Sequence, residues 1–315
     1  MRVFHILPKN LIPSGGIKVH YQLCQLEREL GYDSFIVYED ILKVPTWFAY
    51  NVRHITIADM HKLADKKRDL IVGWEDVEPL LRSGFHNKVS FIQGEVFVNR
   101  SNPYHGIILW FSNDFNRLAL PYLADHDQFI VTPFIDTSVF NYSIDIDWTS
   151  RKHVFSIQER KAGHEACKKL LVDLDCPSTD FLKDLSQMYF IRDCPETEFA
   201  AQLRDTKIFI AHTYPEGFGL PALEAMASGC FVVGFTGGGG SVYMEHGSNC
   251  LIAPKDGDYK HLGKMLEIAH SMVSYYDYQE AGEFRRMGVL TSERYNRAFT
   301  TMQLQKALAF FEEKV

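Results

Sequence analysis

The sequence has no apolar run of membrane-spanning length, no Cys-x2-Cys pair, no Gly-x-Gly-x-x-Gly and no short internal repeat. Each absence closes a class. A spanning helix needs about 20 consecutive apolar residues, so an integral membrane protein of helical type is not indicated. Cys24, Cys167, Cys176, Cys194, Cys230 and Cys250 stand apart. They read as small buried hydrophobes in a reducing cytosol, not as zinc ligands or a disulfide framework. Without the glycine fingerprint of dinucleotide folds, a plain NAD-type oxidoreductase is disfavoured. Positive charge is also short: 33 Lys and Arg against 40 Asp and Glu leave a net charge of −7. That excludes broad nucleic-acid binding as the main function. Lys62, Lys66, Lys67 and Arg68 form one local basic patch. It reads first as a solvated helix face, and second as a peripheral contact for a membrane surface. Residues 1–7 read as a strand and not as a leader.

What is there is alternation. A chain of 315 residues has room for two domains. Short apolar runs at 2–7, 34–38, 69–73, 88–93, 107–111 and 129–132 read as strands, with helices at 17–30, 75–83 and 112–123 among them. The pattern restarts at 153–157 and continues with strands at 188–191, 207–211, 231–235 and 249–253. Helices are expected at 164–175, 196–203, 221–228 and 259–276, and from 280 to the end. Strand–helix alternation implies doubly wound parallel sheets. The polar stretch 141–152 reads as a linker.

The chemistry concentrates between Pro215 and Gly229. An apolar strand at 207–211 leads into a turn rich in Gly and Pro. Pro221 then stands where a helix accepts proline and Gly229 where a helix ends. Glu216 lies in the turn above the strand's carboxyl end, and Glu224 lies one turn into the helix. The helix head between them has unpaired N–H groups and a positive dipole end. Two carboxylates for hydroxyls and a helix end for an anion suit a sugar phosphate or a nucleotide. A plain strand–turn–helix with both glutamates solvated is the bland alternative.

The string Glu216-Gly217-Phe218-Gly219-Leu220-Pro221-Ala222-Leu223-Glu224-Ala225-Met226-Ala227-Ser228-Gly229 resembles the Glu-x7-Glu signature of retaining glycosyltransferases of family 4, the group 1 enzymes. Pro133, Ile135, Asp136 and Phe140 resemble that family's domain junction, without its Asn-Gly. The resemblance implies the GT-B fold: two Rossmann-like doubly wound parallel-sheet domains facing across a cleft. It sets an acceptor-side domain at 1–140, a nucleotide-sugar domain at 141–294, and a helix at 295–315 crossing back to the first domain.

It also implies roles. Glu216, Arg160 and Lys161 are the catalytic set, the two cations steadying the charge that builds on the leaving diphosphate. The family spaces its Arg and Lys apart after a Gly; here Glu159 replaces the Gly and the cations are adjacent. Glu224 takes the ribose hydroxyls. Gly217, Phe218, Gly219 and Leu220 offer backbone groups to the donor, as do Gly15, Gly16, Gly238 and Gly239. Gln93 stands where many members carry a His near the sugar, and contacts the sugar without titrating. Glu95 is a weaker candidate there. His20, His105, His164 and His212 read as structural or solvated.

The implied activity is transfer of a sugar from a nucleotide-diphosphate sugar to a hydroxyl acceptor, with retention and without a metal. UDP, GDP, ADP and dTDP are not distinguished. The acceptor is a glycan, lipid-linked or protein hydroxyl, as in surface polysaccharide or glycoconjugate synthesis, and the expected place is the cytoplasm or the inner face of the membrane. Two other readings stay open: a catalytically silent GT-B partner subunit, which Gln93 and the irregular Arg-Lys pair would permit, and a GT-B sugar-nucleotide epimerase.

Overall fold

The computed structural model describes residues 1–8, 14–39, 44–95, 98–99, 101, 104–142, 148–159, 167, 188–276 and 278–313. The helix expected at 164–175 lies outside them. The chain divides into two compact units, 1–134 with 297–315, and 135–296.

The first unit is built on a seven-stranded parallel sheet. Its strands are β1 (Arg2–Ile6), β2 (Asp33–Tyr38), β3 (Arg53–Thr56), β4 (Leu70–Gly73), β5 (Asn87–Ile92), β6 (Ile108–Phe111) and β7 (Gln128–Ile130), in the order β3-β2-β1-β4-β5-β6-β7. The central strands read as continuous apolar runs because both faces are covered. One face packs Phe4, Phe35, Ile71, Ile92 and Phe111 together. The other packs Ile17, Tyr21 and Cys24 of α1 (Gly15–Glu29) onto Ile36 and Tyr38. Further helices are α2 (Ile57–Leu63), α3 (Glu78–Arg82) and α4 (Asp114–Leu118). Asn113 caps α4, its side chain accepting from the Asn116 N–H at 2.8 Å. The expected continuation to residue 123 is broken before Pro121, which starts a separate 3-10 turn.

The second unit carries a five-stranded parallel sheet in the order β12-β11-β10-β8-β9. Its strands are β8 (His153–Gln158), β9 (Met188–Ile191), β10 (Thr206–Ala211), β11 (Phe231–Gly234) and β12 (Cys250–Ile252). Its described helices are α5 (Glu196–Arg204), α6 (Leu220–Ala227), α7 (Tyr259–Ser271) and α8 (Tyr278–Arg294). Phe155, Ile208, Phe231 and Val233 of the sheet pack against Leu262 and Leu266 of α7. The last helix, α9 (Arg297–Glu312), belongs to the first unit. There Thr300 donates to the Thr132 carbonyl at 2.7 Å, and the rings of Phe310 and Phe129 meet.

The first unit buries a polar chain in its core. Ser34 Oγ donates to Glu27 Oε2 at 2.6 Å, His5 Nε2 meets the same oxygen at 2.8 Å, and His5 Nδ1 lies 2.9 Å from His20 Nδ1. One tautomer pattern satisfies all three contacts: His5 donates to Glu27 and accepts from His20. His20 Nε2 is then a buried acceptor with no partner among the described residues. Burial, and then the neighbouring His5, hold the His20 pKa well below its ordinary value.

The unfolded chain therefore binds this proton first as pH falls, so His20 lowers stability below about pH 6.5 and leaves it unchanged above. Amide hydrogen exchange of β1 and β4 should show the first unit losing up to about 1.4 kcal/mol per pH unit below that point. His20→Asn should flatten the acid limb. An unchanged limb in that variant would assign the loss elsewhere.

Candidate active site

β10 ends at Ala211, and His212 and Thr213 follow at its carboxyl end. Parallel α/β sheets place ligands at such ends. The loop beyond carries Glu216 and runs into α6, while the neighbouring strand β11 gives way to the glycine loop 237–240. The two loops are joined by backbone. The Glu216 N–H donates to the Gly237 carbonyl at 2.7 Å, and the Gly239 N–H donates to the Glu216 carbonyl at 2.8 Å. A Cβ on Gly239 would collide with the Gly217 carbonyl, so glycine is required there by close approach. Gly219, the N-cap of α6, has φ +80°, a left-handed conformation that favours glycine. The Tyr243 hydroxyl donates to the Gly219 carbonyl at 2.6 Å and holds that turn from the far loop.

Both carboxylates act on this phenol through their charge. Glu216 is half-buried and Glu224 buried. Burial raises the Tyr243 pKa first, and the fields of Glu216 and Glu224 are among the further causes. A pocket opens beside it, and the polar part of its wall is Gln158, His212, Thr213, Glu216, Thr236 and Tyr243. His212 is buried, its Nε2 lies 3.7 Å from the Cys167 thiol, and burial pushes its pKa down to about 4. Burial pushes that thiol up to about 11, so the two do not form a thiolate–imidazolium pair near neutrality.

Backbone donors divide unequally between the loops. In the glycine loop, Gly237 N–H reaches Asp256, Gly238 N–H reaches Thr236 Oγ1, Gly239 N–H reaches Glu216 and Gly240 N–H reaches the Thr236 carbonyl. Gly238 and Gly239 thus supply room more than free donors. At the head of α6, the N–H groups of Phe218, Gly219 and Leu220 have no acceptor among the described residues. The helix lies with this positive end at the pocket, since Gly219 and Pro221 both line it.

In the first unit the structure brings Gly16 and Gln93 together. The glycines expected to close a loop instead begin α1, because Ser14 serves as its N-cap residue. A Cβ on Gly16 would sit 3.2 Å from Trp74 and 3.3 Å from Gln93 Oε1. Gln93 Nε2 donates to the Gly16 carbonyl at 3.2 Å, and its own N–H donates to Glu75 at 2.7 Å. Gly15 stands beside them as the first residue of the helix. The Glu95 N–H donates to Asn116.

Arg160 and Lys161 lie outside the described residues. Glu159 just before them is buried, with Arg192 Nε 3.5 Å from its carboxylate. Asp-x-Asp triplets begin at Asp125, Asp145, Asp173 and Asp256, those at 145 and 173 beyond the described residues. Among the described residues no group of three His, Cys, Asp or Glu side chains could hold a metal. No described helix is long and apolar enough to cross a membrane. Sequence reasoning missed His212 and Tyr243 as pocket residues. His212 had a signal, its place directly after an apolar strand; Tyr243 had none, because its role depends on a loop 24 residues away.

The architecture is that of GT-B glycosyltransferase structures. Anabaena HepE in complex with UDP and glucose is 14% identical, with a TM-score of 0.69, over 98% of this chain and 100% of that one. Sucrose-phosphate synthase from Thermosynechococcus elongatus is 11% identical, with a TM-score of 0.72, over 100% of both chains. The pneumococcal O-GlcNAc transferase GtfA with UDP and GlcNAc is 13% identical, with a TM-score of 0.67, over 99% of both. Within that fold, residues 178–269 match the family model described as glycosyl transferases group 1. No curated protein matches the chain.

The joined loops make a contrast between two glycines. Gly239→Ala must move backbone and should cost about 1–3 kcal/mol or more. Gly282→Ala, on α8 with open space at its Cβ, should be neutral or stabilising by about 0.5–1 kcal/mol. Denaturant midpoints compare the two; equal effects would mean the loops are not held at this spacing.

Proposed function

We propose that this chain is a retaining glycosyltransferase that moves a sugar from a nucleotide-diphosphate sugar to a hydroxyl acceptor. The observation that carries the reading is the head of α6: three backbone N–H groups without acceptors among the described residues, between Glu216 and Glu224 in the matched segment. Such a helix end suits a diphosphate. Glu224 binds the ribose hydroxyls, and Glu216 accepts from hydroxyls of the transferred sugar. Gly217, Phe218, Gly219 and Leu220 contact the donor through backbone, and Gly238 and Gly239 give it room. Arg160 and Lys161 neutralise the leaving diphosphate, which makes the reaction independent of a metal.

In the step itself, the bond from sugar C1 to the diphosphate oxygen breaks and a bond from C1 to the acceptor oxygen forms on the same face. The acceptor's proton passes to the leaving phosphate. On this reading Gly15 and Gly16 approach the donor and Gln93 hydrogen-bonds the sugar as a neutral amide. The proposed setting is glycoconjugate or surface polysaccharide synthesis. UDP is the nucleotide to test first, because HepE and GtfA are complexes with it.

A thermal-shift screen of UDP, GDP, ADP and dTDP sugars should find one that raises the melting temperature, since a ligand binding only the native state stabilises it. Glu224→Ala should weaken nucleotide binding by about 1.5–3 kcal/mol, the cost of losing a charged hydrogen-bond partner. Glu216→Ala should lower turnover more than nucleotide affinity. Absence of any nucleotide or nucleotide-sugar binding would remove the enzyme reading.

A further inference from the structure

The pocket of the second unit contains one titratable ring that the proposed chemistry does not use. His212 lies at the carboxyl end of the central strand β10, on the same wall as Glu216 and Gln158. The resemblance had given it no role. It is buried, with 6% of its surface exposed, yet it borders the pocket. The ring hydrogen-bonds the Ile210 backbone, and its Nε2 has one contact among the described residues, the Cys167 sulfur at 3.7 Å.

We infer that His212 is a specificity-determining residue that hydrogen-bonds a hydroxyl of the transferred sugar. This rests on the glycosyltransferase reading above. Three features lead to a hydroxyl and not to an anion or a proton-transfer role. The polar wall holds Gln158, Thr213, Thr236 and Tyr243 as neutral groups and Glu216 as its acidic group, with no Lys or Arg among the described lining residues. The diphosphate belongs at the α6 head, where Gly219 and Pro221 line the pocket; beside His212 and Glu216 an anion would meet a carboxylate and no described cation, so a hydroxyl fits there. The rest of the wall includes Phe209, Phe235 and Met244, an apolar surface that suits the face of a pyranose ring. Burial keeps the imidazole neutral down to about pH 4, where it has one donor and one acceptor nitrogen and no net charge. The groups around it pull the other way, the Ile210 backbone hydrogen bond first and then Glu216. Glu216 lies close enough to favour the imidazolium, but burial outweighs it, and Cys167 stays a thiol. A sugar that places a hydroxyl at His212 is favoured over its epimer, because the epimer leaves a buried polar nitrogen unpaired.

The test separates the sugar from the nucleotide. Wild type is titrated calorimetrically with UDP, GDP, ADP and dTDP and with the glucose, galactose, mannose and N-acetylglucosamine conjugates of the nucleotide that binds. The ratio of the two dissociation constants gives the sugar's share. His212→Ala should leave the free nucleotide's affinity within about twofold and reduce the sugar's share about three- to tenfold, one hydrogen bond's worth. It should also narrow the preference between glucose and galactose conjugates or between glucose and mannose conjugates. His212→Gln, which keeps an uncharged donor and acceptor, should recover part of the loss, and it carries the test if the alanine variant does not fold. The wild-type affinity for the preferred conjugate, divided by that of His212→Gln for the same conjugate, should stay flat from pH 8 to pH 5, a quotient in which the ligand's own titration cancels.

If wild type binds no nucleotide and no conjugate, the glycosyltransferase reading falls and takes this inference with it. If wild type binds and both variants keep its ratio and its sugar preference, the inference falls and the reading stands. An equal loss for free nucleotide and conjugate in both variants would make His212 a diphosphate or folding residue, and would also overturn it. A wild-type to His212→Gln affinity quotient for the conjugate that titrates near pH 6.5 would contradict a neutral imidazole contact.

Discussion

Everything at the second unit's pocket depends on how closely two loops lie along each other beyond the sheet. β10 and β11 are parallel neighbours, and their pairing does not stop where the strands stop. The Phe235 N–H still reaches the Ala211 carbonyl at 2.7 Å, and two more bonds join Glu216 to the glycine loop. At that spacing there is no room for side chains on the facing residues, which is why Gly234, Gly237 and Gly239 appear there. Glu216 is held through its backbone on both sides, by its N–H and by its carbonyl. The same pairing sets where α6 begins. Tyr243 completes it by fixing the Gly219 turn from the glycine-loop side. Such a site needs little reorganisation to receive charge, which is where fixed dipoles are most effective.

The two ends of α6 are treated differently, and the difference has an electrostatic sense. Every residue of the helix but Pro221 is buried, so its polarity is poorly screened by water. Its carbonyl end is met by cations: Arg151 Nη2 donates to the Ser228 carbonyl at 2.8 Å and Arg285 Nε to the Gly229 carbonyl at 2.9 Å. Both guanidiniums are buried, and Arg285 stacks over Trp148 at 4.3 Å. Burial, and then the charge of Arg151, pull the Arg285 pKa down to about 10, still far above neutrality. The protein therefore answers the negative end of this helix with its own charges. It leaves the positive end, with three N–H groups, at a pocket. The asymmetry favours an anion brought by a ligand.

Much of this was legible in the sequence, and what was not shares a cause. The strands of both sheets could be read because parallel strands covered on two faces are continuous apolar runs. β3 and α2 could not: Arg53-His54-Ile55-Thr56 is a half-exposed edge strand with no such run. The turn from Glu216 to Glu224 was legible because proline and glycine mark helix starts and stops by local rules. Gly15-Gly16 was read as a loop because glycine breaks helices; its reason for being there is the close approach of Trp74 and Gln93, which only the fold supplies. The glycine loop looked like a cradle of free donors. Its N–H groups are taken by Asp256, Thr236 and Glu216, two of them far along the chain. Local chemistry could be read from local sequence, whereas satisfaction of donors and the environment of a histidine are properties of the packed unit.

The state of the titratable groups bears on where the acceptor's proton goes. A general base works best when its pKa lies near the operating pH. On the pocket wall, His212 is pushed down to about 4 and Tyr243 is held well above its ordinary value, both chiefly by burial. One is too weak a base and the other too weak an acid to trade protons near neutrality. Gln93, where the resemblance would have a His, does not titrate at all. Burial in the first unit's core moves Glu75 upward, but its Oε1 is occupied by the N–H groups of Gln93 and Gly94. These environments suit hydrogen bonding and charge stabilisation better than proton transfer. On the proposed glycosyltransferase reading, they leave the departing diphosphate to act as the base. That is the front-face course the proposal adopts, and it explains how a site whose histidine and tyrosine are both held away from titration could still carry out a transfer.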